Sequence, residues 1–208
     1  MKLYFRGPNN FPAISITFDD GPHPSYTPQL LQVLDRFNVK GTFFMTGANA
    51  RKNKILVKEV SDQGHEIANH SLNHLKQLLL PPDVLENEIK ASKDILESII
   101  ERKTTLYRPP HGYTSPFLFS LAKKLDFKVI LWSINAYDYR DTNPVSITRR
   151  VVSRLKKGSI VLFHECNARN PDRDYTQTAT ALSDVLMHIK NGSFNAVTIS
   201  ELLTRFGT

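Results

Sequence analysis

Residues 15–24 read SITFDDGPHP, in which two aspartates end a run of mostly apolar residues and a Gly-Pro turn follows at once. The run AISITF at 13–18 is typical of a strand that is buried on both faces of a sheet. Adjacent carboxylates repel each other, so the position of Asp19 beside Asp20 needs a reason. Either both acids face water in a solvated turn, the commoner outcome for an isolated D-D-G-P, or a cation holds one of them.

An alternation of short apolar runs and amphipathic segments continues along the chain. Strands are predicted at 13–18, 41–47, 65–71, 127–134 and 158–165, helices at 27–37, 54–63, 83–102, 115–125, 145–155 and 178–189, and a short strand near 196–199 precedes a short final helix. Such alternation indicates parallel strands that are joined by crossover helices. A closed barrel and an open doubly wound sheet both satisfy it, and in both the functional residues lie at the carboxyl ends of the strands.

Composition indicates one ordinary globular domain. Hydrophobic residues make up 40% of the 208 and charged residues 23%, and no stretch approaches the roughly 20 apolar residues of a membrane span. The single cysteine, Cys166, excludes an internal disulfide. The net charge of +7 favours anionic partners. No basic run is interleaved with aromatic residues, so we expect no nucleic-acid partner.

Ionisable side chains follow the ends of five apolar runs. In chain order they are Asp19 and Asp20, His70 and His74, Arg108, Asp138, and His164. Taken singly, each has a simpler explanation, as a solvated charge or as a buried structural histidine. Because the carboxyl ends of parallel strands meet at one rim, we expect these side chains to converge.

The segment HSLNH at 70–74 holds two histidines four residues apart. On a helical turn this spacing places both imidazoles on one face, with about 5–6 Å between Cβ atoms, so that both could bind one ion. For an isolated H-x-x-x-H, a pair of surface histidines is the more frequent explanation. A carboxylate as third ligand would complete a hydrolytic metal centre with open positions. One aspartate of the pair could then bind the ion, while the other takes a proton from the activated water.

Five motifs occur together in a fixed order. They are TFDDGP at 17–22, HSLNH at 70–74, RPPHG at 108–112, SINAYDY at 133–139 and IVLFH at 160–164. This set resembles the polysaccharide deacetylases of the NodB-homology type, carbohydrate esterase family 4. The resemblance extends from about Ala13 to Leu203, and we expect a single domain over 1–208 with this core.

The resemblance implies a distorted (β/α) barrel of seven or eight parallel strands with a divalent metal at its carboxyl rim. Zinc is the usual metal, and cobalt and nickel accept the same ligands. Carried over residue by residue, Asp20, His70 and His74 would be the metal ligands. Asp19 would be the general base, and His164 would be the general acid that protonates the leaving amine.

Further residues take supporting roles by the same resemblance. Arg108 would hold the base, Asp138 would orient and tune the acid, and the backbone N–H of His111 would contribute to the oxyanion site. The residues expected to form the substrate pocket are Pro110, Trp132, Tyr139 and Leu162. The fourth motif departs from the usual D-x-x-D-W, since Asn135 replaces its first Asp and Tyr139 its Trp. The second change alters one wall of the groove and puts substrate choice in question.

The function implied is metal-dependent removal of N-acetyl groups from peptidoglycan or a chitin-like glycan, with O-acetyl glycans as a further possibility within the family. The alternative is a catalytically silent carbohydrate-binding module on the same fold. Such a module would be expected to lose a metal ligand or the base, whereas this sequence keeps all of them. We expect a monomer at the cell envelope or outside the cell, with any leader or anchor outside this sequence.

Overall fold

A curled parallel sheet surrounded by helices organises the chain in this computed structural model, which describes residues 3–167, 170, 173–192 and 194–204. The strands are β1 (Leu3–Tyr4), β2 (Ala13–Asp19), β3 (Thr42–Met45), β4 (Glu66–Asn69), β5 (Leu106–Tyr107), β6 (Lys128–Ile130), β7 (Ile134–Asn135), β8 (Ile160–His164) and β9 (Asn195–Ala196). The sheet order is β1-β6-β5-β4-β3-β2-β8-β7, with β9 beside β2, and the paired strands are parallel. The expected distorted (β/α) barrel is confirmed.

Helices connect the strands. They are α1 (Thr27–Arg36), α2 (Gly47–Lys52), α3 (Lys54–Asp62), α4 (Pro82–Ile100), α5 (Pro116–Lys124), α6 (Pro144–Val152), α7 (Thr176–Asn191) and α8 (Ile199–Thr204), with short 3-10 turns at Gln77–Leu79 and Pro110–Gly112. The side chains of Thr46, Ser115 and Asn143 accept hydrogen bonds from first-turn N–H groups of α2, α5 and α6, which fixes where these helices begin. Among the described helices, none combines the length and apolar character needed to cross a membrane.

Strand β2 is buried along its whole length, and its alternate residues face different layers. Ile14, Ile16 and Phe18 belong to a core cluster that includes residues of α1 and α7. The odd-numbered residues take the opposite face, where both Thr17 and Asp19 accept hydrogen bonds inside the barrel. The alternation of the strand therefore delivers Asp19 to the barrel interior.

The segment predicted as one strand at 127–134 is in fact two short strands that pair at opposite ends of the sheet order. β6 pairs with β5 and β1, whereas β7 pairs with β8. Between them, Leu131 N–H donates to Tyr4 O at 2.7 Å and Ser133 N–H donates to Ile160 O at 3.0 Å. One stretch of chain thus pairs near both edges of the sheet. The pattern of apolar residues could not predict this, because it does not say which strands pair with each other.

The backbone at Gly158 packs closely against the segment at Gly7 and Pro8, and a substitution there tests this packing. Gly158 has φ +75°, and an added Cβ would lie 2.3 Å from Gly7 O and 2.5 Å from Pro8 O. Gly64 has a similar φ of +83°, but its Cβ would meet only the flexible side chain of Lys40 at 3.7 Å. Gly64→Ala should therefore carry only the left-handed backbone cost of roughly 1–2 kcal/mol.

Gly158→Ala should reduce the free energy of unfolding by clearly more than Gly64→Ala, because it adds a backbone clash to the same φ penalty. Urea denaturation of the two variants beside the unaltered protein measures both losses. Equal losses would show that the chain near Gly7 can move away at no cost.

Candidate active site at the carboxyl ends of the strands

The residues at the carboxyl ends of β2, β4, β5, β7 and β8 meet around one cavity of about 380 Å³. The register of β2 and β8 places Asp19 directly opposite His164 on neighbouring parallel strands. The cavity is lined by Asp19, Asp20, His70, His74, His111, Tyr113, Trp132, Asn135, Tyr139, Arg140, Leu162, His164, Asn167 and Tyr175. The predicted convergence of ionisable side chains at one rim is thereby found in the structure.

Arg108 lies beneath this cavity and is fully buried. Its Nη1 donates to Asp19 Oδ1 at 2.6 Å and to Thr17 Oγ1 at 2.9 Å. Its Nε and Nη2 donate to the carbonyl oxygens of Ile130 and Leu131, at 3.3 and 3.0 Å. The ion pair fixes one carboxylate oxygen of Asp19, and the other oxygen, Oδ2, lies 3.6 Å from His70 Nε2.

Asp20, His70 and His74 form a cluster whose potential ligand atoms all lie within 4.8 Å of one another. Asp20 Oδ1 is 3.4 Å from His70 Nε2 and 3.1 Å from His74 Nε2. His70 Nδ1 lies 2.7 Å from the carbonyl oxygen of Arg108, and a carbonyl can only accept, so Nδ1 carries a proton and Nε2 is the nitrogen that faces the cluster. His74 Nδ1 is buried without a hydrogen-bond partner among the described residues.

The charge states of this cluster suit a metal ion. Burial lowers the pKa of His74 to about 4 against the opposing charge of Asp20, so the ring is neutral at neutral pH. Burial alone would raise the pKa of Asp20, but its close contacts with His70 and His74 hold that pKa well below its usual range. Metal ligation requires a neutral imidazole and an ionised carboxylate, which are the forms of His74 and Asp20.

The backbone of 70–74 is a loop, not the helical turn from which we inferred that the two histidines converge. Ser71 and His74 have φ of 64° and 55°, in the left-handed region. Hydrogen bonds from Ser71 N–H to Asn69 Oδ1 and from His74 N–H to Ser71 Oγ hold this turn. The imidazole centroids are 5.0 Å apart, so the expected proximity is found although its proposed cause was wrong.

His164 enters the cavity from β8 and is held by buried Asp138. Its Nδ1 lies 2.9 Å from Asp138 Oδ1, and its backbone N–H donates to Oδ2 at 2.8 Å. Thr178 Oγ1 of α7 also donates to that Oδ2, at 3.0 Å. Burial by itself would lower the pKa of His164, but the charge and hydrogen bond of Asp138 raise it to about 9, so the ring is protonated at neutral pH.

The remaining predicted residues surround this centre unevenly. His111 has φ 60°, and its exposed ring packs edge-on against His74 with centroids 4.7 Å apart. Trp132, Tyr139 and Leu162 line the cavity, and the Tyr139 ring lies edge-on to His164 with centroids 4.9 Å apart. Pro110 is buried and lies outside the cavity lining.

Several cavity residues were not among the predicted site residues, although one of them, Asn135, lies within the fourth motif. They are Tyr113, Asn135, Arg140, Asn167 and Tyr175. Asn167 and Tyr175 belong to the connection between β8 and α7, which starts at the same rim as His164. The position of that loop directly after a strand end could have predicted that it borders the site, but none of its residue types suggested a catalytic or metal-binding role.

Similar sequences and folds occur among known deacetylases. A family model described as polysaccharide deacetylase matches residues 6–130. A peptidoglycan-N-acetylglucosamine deacetylase of Bacillus cereus is 42% identical over 199 residues, which cover 94% of this chain and 90% of that protein. A peptidoglycan-N-acetylmuramic acid deacetylase of Bacillus subtilis is 28% identical, over 96% of this chain and 74% of its own. The crystal structure of a peptidoglycan N-acetylglucosamine deacetylase bound to a naphthalenyl N-hydroxybenzamide superposes with a TM-score of 0.91 at 30% identity, covering 96% of this chain and 92% of that one.

The Asp138–His164 pair gives a prediction that is independent of any reaction. Asp138→Asn removes the largest of the negative charges that raise the pKa of His164 and leaves its burial and the smaller contributions of Asp20 and Asp19 in place, so that pKa should fall clearly from about 9. An NMR pH titration of the His164 ring measures it. Asp141→Asn is the matched control, because the ion-pair partner of Asp141 is Arg150, at 2.7 Å, and not His164. An unchanged titration in Asp138→Asn would contradict the assignment of the charge partner.

Proposed function

The chain belongs to the polysaccharide deacetylase family, carbohydrate esterase family 4 with the NodB-homology domain, and from this we propose that it is a metal-dependent hydrolase that removes N-acetyl groups from a glycan. N-acetylglucosamine units of peptidoglycan or of a chitin-like glycan are the proposed substrate. The observation that carries the proposal is the placement of Asp19 and His164 opposite each other beside the Asp-His-His cluster. Each has its own buried partner, Arg108 and Asp138.

The donor set of Asp20, His70 and His74 fits a divalent metal ion. Two imidazole nitrogens and one carboxylate are the ligands of many hydrolytic zinc sites, and three protein ligands leave positions open. Cobalt and nickel accept the same donors. When bound, such an ion would act as a Lewis acid on the amide carbonyl and would make a water molecule easier to deprotonate.

Asp19 is the proposed general base. Arg108 occupies its Oδ1, which leaves Oδ2 toward the cluster, 3.6 Å from His70 Nε2. An attacking water beside the cluster therefore lies within reach of Oδ2, and the ion pair prevents the carboxylate from rotating away. The proton moves from that water to Oδ2 as the water attacks the amide carbon.

His164 is the proposed general acid. An amine is a poor leaving group unless it is protonated, and the pKa of His164 near 9 keeps a proton available at neutral pH. Its Nδ1 is engaged by Asp138, so Nε2 gives the proton to the departing sugar nitrogen. The backbone N–H of His111 is the proposed donor to the oxyanion. Base and acid thus differ in charge because their buried partners differ, as paired roles require.

The side walls of the cavity fit an acetyl group on a sugar. Trp132 and Leu162 would surround the acetyl methyl, with Tyr139 beside the sugar. The net charge of +7 favours encounter with an anionic wall polymer, which agrees with a site of action at the cell envelope. A silent carbohydrate-binding module is the weaker alternative. Glycan binding alone does not require a carboxylate and a protonated histidine that face one cavity and are each held by a separate buried partner.

Acetate release from a panel of glycans tests the function directly. The panel would include N-acetylglucosamine oligomers, peptidoglycan fragments and an O-acetylated xylan. We expect acetate from the N-acetylated glycans, loss of the reaction after chelation, and recovery on adding zinc, cobalt or nickel. Metal-loaded protein that releases no acetate from any member would contradict the enzyme proposal and support the silent module.

The roles of the two aspartates are separable by substitution. Asp19→Asn keeps the shape of the base but removes its ability to take a proton, so turnover should fall about 100-fold to 10,000-fold while the metal stays bound. His74→Ala removes a proposed ligand, and both metal and turnover should be lost. Metal analysis beside acetate release reads both properties, with Asp62→Asn, a surface carboxylate paired with Lys58, as the control. Loss of metal in Asp19→Asn would reverse the assignment of the two acids.

A further inference from the structure

Arg140 follows the fourth motif and lies at the rim of the cavity. The residue is exposed to solvent and also forms part of the cavity lining, so a ligand that fills the cavity can reach it. Its guanidinium carbon lies over the Tyr139 ring, 5.3 Å from the ring centroid. The same ring is edge-on to His164, with centroids 4.9 Å apart. A single aromatic ring therefore separates the guanidinium from the proposed general acid.

The carboxylates nearest to Arg140 in the sequence have other partners. Asp138 is paired with His164, and Asp141 is paired with Arg150 at 2.7 Å. In the described part of the chain, no carboxylate lies within ion-pair distance of the Arg140 guanidinium. A guanidinium stays protonated at every relevant pH. Arg140 therefore presents a positive charge that the described protein does not balance.

The acidic groups inside the cavity do not supply this partner either. Asp19 is paired with Arg108, and Asp20 belongs to the proposed metal cluster. A guanidinium binds a carboxylate with two parallel hydrogen bonds, and such charge-assisted bonds are stronger than those to neutral hydroxyl groups. The contact with the Tyr139 ring also restricts the guanidinium before a ligand arrives. The rim thus suits a ligand that carries a carboxylate.

We propose that Arg140 binds a carboxylate that the glycan carries next to the reacting sugar, so that the site prefers an acidic glycan to a neutral one. This inference rests on the proposed function, because it places the reacting sugar in the same cavity. With that sugar beside Tyr139, the guanidinium over the same ring is within reach of a group on the next sugar. In peptidoglycan, alternate sugars carry a lactyl carboxyl, which is either free or linked to a peptide with carboxylates of its own. A chitin-like glycan has neither.

Arg140→Gln tests the contact, since it removes the charge and keeps a polar side chain. The substrates are an oligomer of alternating N-acetylglucosamine and N-acetylmuramic acid with free carboxylates, and the same oligomer with its carboxyls converted to neutral methyl amides. We expect the ratio of kcat/KM on the acidic form to that on the neutral form to fall about fivefold to tenfold, mainly through KM, as for one charge-assisted contact at an exposed site. Acetate release measures it.

Arg149→Gln is the matched control. It removes the same charge from an exposed position of α6 outside the cavity lining, so the ratio should not change. Arg140→Lys keeps the charge without the planar fork and should recover part of the preference.

A third substrate separates the two sources of carboxylate. In the peptide-bearing oligomer the lactyl carboxyl is an amide, and the carboxylates belong to the peptide. A selective loss in Arg140→Gln on the free-lactyl oligomer assigns the contact to the sugar, and a selective loss on the peptide-bearing oligomer assigns it to the peptide. Equal losses on both acidic substrates and the methyl amide would overturn the inference, because Arg140 would then act through Tyr139 and not through its charge. Unchanged kcat/KM on all three would overturn it as well.

Calorimetry with the deacetylated oligomers separates this inference from the proposed function. If no acetate is released from any glycan, the proposed function fails, and a weaker binding of the acidic oligomer by Arg140→Gln than by the unaltered protein still supports the contact. Equal binding by the two proteins, or no binding by either, overturns it. If acetate is released and both proteins show the same preference, only the inference about Arg140 fails.

Discussion

The buried ion pair between Arg108 and Asp19 is the interaction on which the rest of the site depends. A guanidinium without exposure to water must be compensated by partners, because a buried charge that loses its partner costs about 3–5 kcal/mol, far more than an exposed pair contributes. Arg108 meets this need with Asp19, Thr17 and two backbone carbonyls, and its guanidinium lies 3.9 Å from the centroid of the Phe44 ring. The backbone carbonyl of the same residue orients His70. One residue therefore positions the proposed base with its side chain and a proposed metal ligand with its main chain.

The two ionisable groups of the proposed reaction differ because their buried partners have opposite charge. Asp19 is held by a cation and keeps an oxygen that can accept a proton, whereas His164 is held by an anion and keeps a proton to give. Both stand in register on neighbouring strands, so the distance between them is set by the spacing of the sheet and not by flexible loops. The support of Asp138 by Thr178 extends this arrangement to α7. The sheet thus fixes the relative position of the proposed acid and base, and Arg108 and Asp138 give each of them a buried partner of opposite charge.

The sequence predicted much of this because strand alternation and strand ends are local properties. The buried run at 13–18 and the polar residues that follow it could be read without knowledge of the partners, and the order of the five motifs supplied the roles. The geometry of 70–74 could not be predicted in this way. Two histidines four residues apart lie on the same face only if the backbone between them is helical, and here Ser71 and His74 adopt left-handed conformations. The place of Tyr175 in the cavity lining could not be predicted for another reason. It is a property of the packed structure, and nothing in the residue type distinguishes Tyr175 from a core tyrosine.

The interruption of the predicted strand at 127–134 links the fold to the site. A continuous strand there would direct its N–H and C=O groups into ladders with neighbouring strands, as in any parallel sheet. At the break, the carbonyl oxygens of Ile130 and Leu131 instead accept from the Arg108 guanidinium inside the barrel. The irregularity therefore supplies two of the acceptors that a buried guanidinium requires. Left-handed backbone at Asp20, His74 and His111 occurs around the same cavity, so conformations that are unfavourable elsewhere concentrate where the surrounding packing can hold them. The site is thus built from local departures from regular structure that the surrounding packing of the folded barrel holds in place, so it forms as a consequence of folding and not of any single motif.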